Sequence, residues 1–220
     1  MNFIIHTCSD REWYVDEFLI PSMLEQGINP NDITVWIDRL KNGCLESCMQ
    51  SWKSLPLQGH TWHLQDDVII ARDFYKKVEE WEHFEGIICG LCTHYDKDRK
   101  HFYNQISTNL TQIWFSFPCI RIPNKLAKKC AMYFYSTTEY DKWKNWKRGD
   151  DSVFRDYLKK HTTGVKYINL NPNLVDHIDY LLGGSTNNKK GKISKPAESL
   201  YFPDRELVGE LTKKIRSRQK

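Results

Sequence analysis

The chain has 220 residues, of which 40% are hydrophobic and 13% aromatic, and its formal net charge is +4. That length suits one large domain, or one domain with a tail, and the apolar share suits an ordinary core. No apolar stretch approaches the length of a membrane span, and the opening MNFIIHTCSDREW lacks a basic stretch followed by a long apolar run, so neither a spanning helix nor a signal peptide is expected.

NFIIHT, residues 2–7, is a short apolar run that reads as a first strand. Ser9 or Asp10 then supplies an N-cap, and Tyr14, Phe18, Leu19, Met23 and Leu24 fall near helical spacing until Gly27. ITVWID, residues 33–38, is a second strand, and residues 44–53 form a second helix ended by Pro56. TWHLQDDVII, residues 61–70, follows as a third strand carrying two adjacent carboxylates. Strand, helix, strand, helix, strand within about seventy residues predicts βαβ units. The expected fold is therefore α/β, with a mainly parallel central sheet and helices on both faces. In such sheets ligands sit outside the carboxyl ends of the strands. Residues 7–11, Asp38 and the Asp66-Asp67 pair should gather along that rim.

Further along, residues 71–81 read as a helix, 86–94 as a strand and 96–109 as a polar loop able to move over a site. Residues 113–122 alternate like a strand, bent or placed at an edge by Pro118. A helix over residues 124–136 turns Leu126, Ala127, Cys130, Tyr133 and Phe134 inward. YDKWKNWKR, residues 140–148, interleaves Trp with Lys, a composition that can stack bases or sugars while holding phosphates, or simply lie as an amphipathic surface. Asp150 and Asp151 open another helix, residues 165–170 read as a strand, and residues 205–220 as a basic helix.

The seven cysteines are an odd number in a chain without a secretory signal, which points to reduced thiols and a cytoplasmic location. Cys44 with Cys48, and Cys89 with Cys92, have spacings seen in zinc sites. Residues three apart on a strand face opposite ways, so Cys89 and Cys92 should not share an ion. Charge is uneven. Residues 186–220 carry a net of +6, which places the positive potential in the last segment and makes a polyanion a reasonable partner there, or marks a solvated tail.

Two neighbouring carboxylates on an apolar strand need a cation nearby or an opening to water, because burying them unpaired is costly. Hard divalent ions take one or two carboxylates together with substrate phosphates. A metal–diphosphate site and a plain Asp-Asp turn capping the next helix both satisfy the pattern.

Three pieces resemble the GT-A fold of nucleotide-sugar glycosyltransferases, of a small bacterial or phage type. One is the loop His6-Thr7-Cys8-Ser9-Asp10-Arg11 after the first strand. The second is Gln65-Asp66-Asp67, similar to the family's acidic signature, with Gln65 where an acid often stands. The third is Pro172-Asn173-Leu174-Val175-Asp176-His177-Ile178, then Gly183-Gly184-Ser185, similar to a segment near the C-terminal end of such enzymes, with Ile178-Asp179 in place of the usual Ile-Gly. The resemblance spans residues 1–185, which would form the transferase domain. Residues 186–220 would pack on it or trail from it.

The resemblance implies a sugar moved from a nucleotide-diphosphate sugar to an acceptor hydroxyl, with Mn²⁺ or Mg²⁺ as cofactor. It assigns Asp67, Asp66 and His177 to the metal. Thr7, Ser9, Arg11, Asp38, Asp66 and Lys189 fall to the nucleotide donor, and Asp151 or Asp150 to the general base. The Trp/Lys segment and basic end make a hydroxymethylated base in phage DNA a candidate acceptor, the enzyme then working in the host cytoplasm. A glycan or lipopolysaccharide acceptor is the alternative. A non-catalytic nucleic-acid-binding α/β module, or a two-carboxylate nuclease, lies outside the class.

Overall fold

A computed structural model describes residues 1–91, 105–108, 117–136, 141, 149–170, 173–183 and 202–218. Cys92, most of the 96–109 loop, residues 113–116, the Trp/Lys segment apart from Asp141, Pro172, Gly184-Ser185 and Lys189 lie outside the described residues.

Six strands form the main sheet: β1 (Phe3–Cys8), β2 (Ile33–Asp38), β3 (His60–Gln65), β5 (Ile87–Gly90), β6 (Cys119–Pro123) and β7 (Lys166–Asn169). Their order is β2-β1-β3-β6-β5-β7. β1 pairs parallel with both β2 and β3, and β5 with β7, while β6 runs antiparallel between β3 and β5. The expected α/β architecture with a mainly parallel sheet is the one observed. β6 is central rather than an edge strand, because Pro118 lies just outside it and only lends its carbonyl to the Gln65 N–H. The topology reverses between β1 and β3. The crevice beyond their carboxyl ends is where an open α/β sheet binds its ligand.

The strands alternate between two apolar layers. Phe3, Ile5, Trp62 and Leu64 face a cluster built with the segment after β1, with α4 (Phe74–Glu80), and with Leu211 and Ile215 of the last helix. Ile120, Ile122 and Ile88 face the other cluster, built with α3 (Cys44–Ser54), α5 (Asn124–Phe134) and α6 (Asp150–His161). The last helix, α7 (Arg205–Arg218), thus contributes to the core instead of trailing from it.

Residues 61–70 are not one strand. The chain breaks at Asp66-Asp67 and continues as β4 (Val68–Ile70), which leaves the main sheet and pairs antiparallel with β8 (Val175–His177). The helix after β1 is also not regular. It runs as α1 (Glu12–Tyr14), a π-helical turn (Val15–Leu19) and α2 (Ile20–Glu25). Pro21 has no N–H for the carbonyl four residues earlier, and the register widens just before it, with Ile20 N–H bonded to the Val15 carbonyl.

Candidate active site

A cavity of about 310 Å³ opens at the carboxyl edge of the sheet, large enough for part of a nucleotide-sized ligand. Thr7, Ser9, Arg11, Asp38, Asp66, Asp67, Asp150 and His177 all line it. Asp151 is not among its lining residues, and Lys189 is outside the described ones.

The corner between β3 and β4 sets the acid pair. β4 turns into the second sheet, so the register Val68↔His177 brings the end of β8 against Asp67. The Ile178 N–H bonds the Asp67 carbonyl at 2.8 Å and fixes that approach. His177 Nε2 then lies 3.0 Å from Asp67 Oδ1, with its Nδ1 3.8 Å from Asp179. From the other side Tyr14 donates to the Val68 carbonyl at 2.8 Å, which pins the helix after β1 to the same corner.

Arg11, the residue leading into that helix, is buried. It displaces Ser9 and Asp10 as the N-cap residue, and none of the three supplies a side-chain cap. Its Nη1 donates to Asp66 Oδ1 at 3.0 Å and to Asp67 Oδ2 at 2.6 Å. Asp66 Oδ2 accepts from the Thr7 hydroxyl at 2.9 Å and the Cys8 N–H at 3.3 Å. The switch-point rim, not a helix cap, is what engages this pair.

These contacts split the two carboxyls. Burial by itself would raise Asp67, but the His177 hydrogen bond and charge, with Arg11, reverse it and hold the group down at about 2. Burial and the neighbouring Asp67 charge raise Asp66 against the pull of Arg11 and Thr7. Burial works to lower His177, and the Asp67 carboxylate outweighs it, so the imidazole is driven toward its charged form.

Asp150, which also lines the cavity, opens α6 and is buried against α3. Burial, then the charge of Asp151, raise its carboxyl to about 6. Its Oδ1 accepts the Asp151 N–H at 3.0 Å, and the Cys44 thiol also bonds to it. Asp151 points back over Gly149, with Oδ1 2.6 Å from where a Cβ on that glycine would stand.

Asp38 is engaged by its own loop. Its oxygens accept the N–H groups of Asn42 at 2.9 Å and Gly43 at 2.8 Å. The tight loop holds Lys41 at φ 54 and Gly43 at φ 94, the second in a region that favours glycine. Lys41, Gly43, Cys44 and Ser47 line the cavity too. Only the Cys44–Cys48 spacing marks any of them in the sequence, although all of them follow the carboxyl end of β2, where the rim rule directs attention. Beneath the site, the half-buried His6 and the buried His63 rings stack, with His6 Nε2 and Trp52 Nε1 each 3.2 Å from His63 Nδ1. Burial lowers His6 to about 4 and His63 well below its ordinary value, so the floor is uncharged at neutral pH.

Cys44 and Cys48 form no disulfide and lie near Asp150, and Cys89 is buried in β5. Among the described residues, no three His, Cys, Asp or Glu side chains are gathered as a ready metal cluster, and no helix is long and apolar enough to cross a membrane.

No family model matches this chain, and no curated protein does. Three of the solved structures similar to it in fold are transferases by description. A Bacillus anthracis protein described as a glucose-1-phosphate thymidylyltransferase matches at 10% identity and TM-score 0.46, over 80% of this chain and 89% of its own. The Francisella tularensis 2-C-methyl-D-erythritol 4-phosphate cytidylyltransferase matches at 10% identity and TM-score 0.45, over 96% of this chain and all of its own. The galactosyltransferase LgtC, solved with donor and acceptor sugar analogues, matches at 8% identity and TM-score 0.45, over 99% of this chain and 94% of its own.

Proposed function

We propose that this chain is a metal-dependent glycosyltransferase that moves a sugar from a nucleotide-diphosphate sugar to an acceptor hydroxyl. The observation that carries the reading is one cavity lined by the acid pair, by His177 and by a carboxyl of raised pKa, Asp150.

The donor set fits a divalent ion. Asp67 Oδ1 and His177 Nε2 are 3.0 Å apart, which is about the separation of adjacent ligands on an octahedral ion with bonds of about 2.1 Å. Asp67 and His177 would hold Mn²⁺ or Mg²⁺, with Asp66 beside them and the donor's phosphates completing the shell. The ion supplies charge stabilisation to the departing diphosphate. Thr7, Ser9, Arg11, Asp38 and Lys189 would contact the nucleotide, with Lys41 added from the cavity rim. Asp150 is the better base of the two aspartates, because it faces the cavity while Asp151 folds over Gly149. A carboxylate of pKa about 6 is ionised at neutral pH yet a stronger base than an ordinary one. It would take the acceptor's proton as the sugar–oxygen bond forms.

For the acceptor we favour a hydroxymethylated base in phage DNA, which is supported by the net +6 over residues 186–220 and the Trp/Lys composition of residues 140–148. The test is a panel of nucleotide-sugars with Mn²⁺, followed by mass spectrometry of hydroxymethylated DNA and of glycan acceptors. A sugar-sized mass gain on DNA supports the full reading, and a gain on a glycan alone moves the acceptor. Pyrophosphate release from a nucleoside triphosphate and a sugar phosphate, with no transfer to any acceptor, would mean nucleotidyl transfer instead.

A further inference from the structure

We propose that Arg11 is an internal counter-ion that neutralises Asp66 and Asp67 until the divalent ion arrives, and that ion binding requires its guanidinium to move away, onto the donor's diphosphate. This rests on the metal-dependent reading above.

The guanidinium and a divalent ion would both draw on the same pair of carboxylates. A single guanidinium nitrogen contacts both carboxylates, at 3.0 and 2.6 Å. Thr7, the Cys8 N–H and His177 surround the remaining oxygens. An arginine does not give up its proton in a protein. A divalent ion added beside it would place three positive charges, with His177 close by, against two carboxylates. Repulsion at such short range in a buried site costs several kcal/mol, so ion and guanidinium compete for the pair.

Arg11 also offsets the cost of burying two adjacent acids before any ligand arrives. Once displaced, it is a cation on the wall of the same cavity. The donor's diphosphate is the anion within reach, and the guanidinium fork matches phosphate oxygens. Metal and nucleotide binding are then linked. Each strengthens the other by the same factor, as equilibrium coupling requires. The ion remains weakly held until the donor takes over Arg11, which ties cation capture to substrate arrival.

The test is Mn²⁺ binding, read by the loss of the free-ion electron paramagnetic resonance signal, with and without UDP, GDP or dTDP. Wild-type protein should bind Mn²⁺ weakly alone and more tightly with one of the nucleotides. Arg11→Gln should bind Mn²⁺ alone roughly tenfold or more tightly than wild type, with the nucleotide's help lost. A purely structural arginine would give weaker metal binding on removal. If wild type binds Mn²⁺ with nucleotide and Arg11→Gln binds it no better alone, this inference fails while the metal reading stands. If wild type binds no Mn²⁺ with any of the three nucleotides, the metal reading fails and takes this inference with it. Should Arg11→Gln not fold, the wild-type guanidinium protons of Arg11 give the answer. Their exchange with solvent should quicken on saturation with Mg²⁺ and nucleotide, and unchanged protection would overturn the proposal.

Discussion

Asp150 shows how a site residue can weaken the fold it belongs to. Its carboxyl is raised from 3.8 to about 6 by burial first and Asp151 second. A raised acid binds its proton more tightly in the folded state, so stability is greatest below the unfolded value and falls as pH rises through the folded one. Asp150→Asn should therefore be more stable than wild type above pH 6, by roughly 2 kcal/mol, in thermal melts at pH 7.5. The same variant should lose transfer activity by about 10²–10⁴-fold. Wild-type activity should climb as pH passes about 6, and a flat profile in that window would remove Asp150 from the base role. Both aspartates were visible as a pair in the sequence. Which one faces the cavity was not, because adjacent helix positions differ by about 100° in direction and only packing against α3 decides between them. Arg11 was legible as a rim residue, but its grip on both acids depends on a fold-level approach that spans 55 residues of sequence.

At the scale of elements, alternation exposed β1, β2 and α3 nearly as they stand, since their apolar periods are clean. The split of residues 61–70 into β3 and β4 was hidden. Val68, Ile69 and Ile70 are as apolar as a continuing strand, and the partner that draws them away is β8, more than a hundred residues later. β6 was misjudged for a related reason. Pro118 just before it suggests an edge, yet β6 lies inside the sheet and its Arg121 is fully buried. It donates to the carbonyls of Trp81 at 2.9 Å and of Phe84, and lies 5.6 Å over the Trp62 ring. Replacing it leaves partly buried carbonyls without these donors. Arg121→Met should cost roughly 2–4 kcal/mol in urea unfolding, and a loss under half a kcal/mol would mean that solvent reaches those carbonyls.

On the scale of the whole molecule, the basic C-terminal segment looks detachable from composition alone. Its charge count conceals the apolar face of α7, where Leu211 and Ile215 enter the same core as Phe3 and Leu64. Arg205 reaches the buried Asp176 of β8 at 3.2 Å, and Arg218 pairs with Glu17. Both contacts tie the helix to the framework behind the acid pair. Ile215→Ala should cost about 2–5 kcal/mol and lower the melting temperature, whereas an indifferent melt would mark residues 202–218 as an appendage. The role proposed for Asp67 and His177 is to hold a divalent ion that steadies a departing diphosphate. The most direct measurement is Mn²⁺-stimulated hydrolysis of the accepted nucleotide-sugar by wild type, Asp67→Ala and His177→Ala, each confirmed folded. Both variants should lose the Mn²⁺-dependent rate by about a hundredfold or more. Hydrolysis that proceeds equally with and without Mn²⁺, or survives in Asp67→Ala, would contradict it.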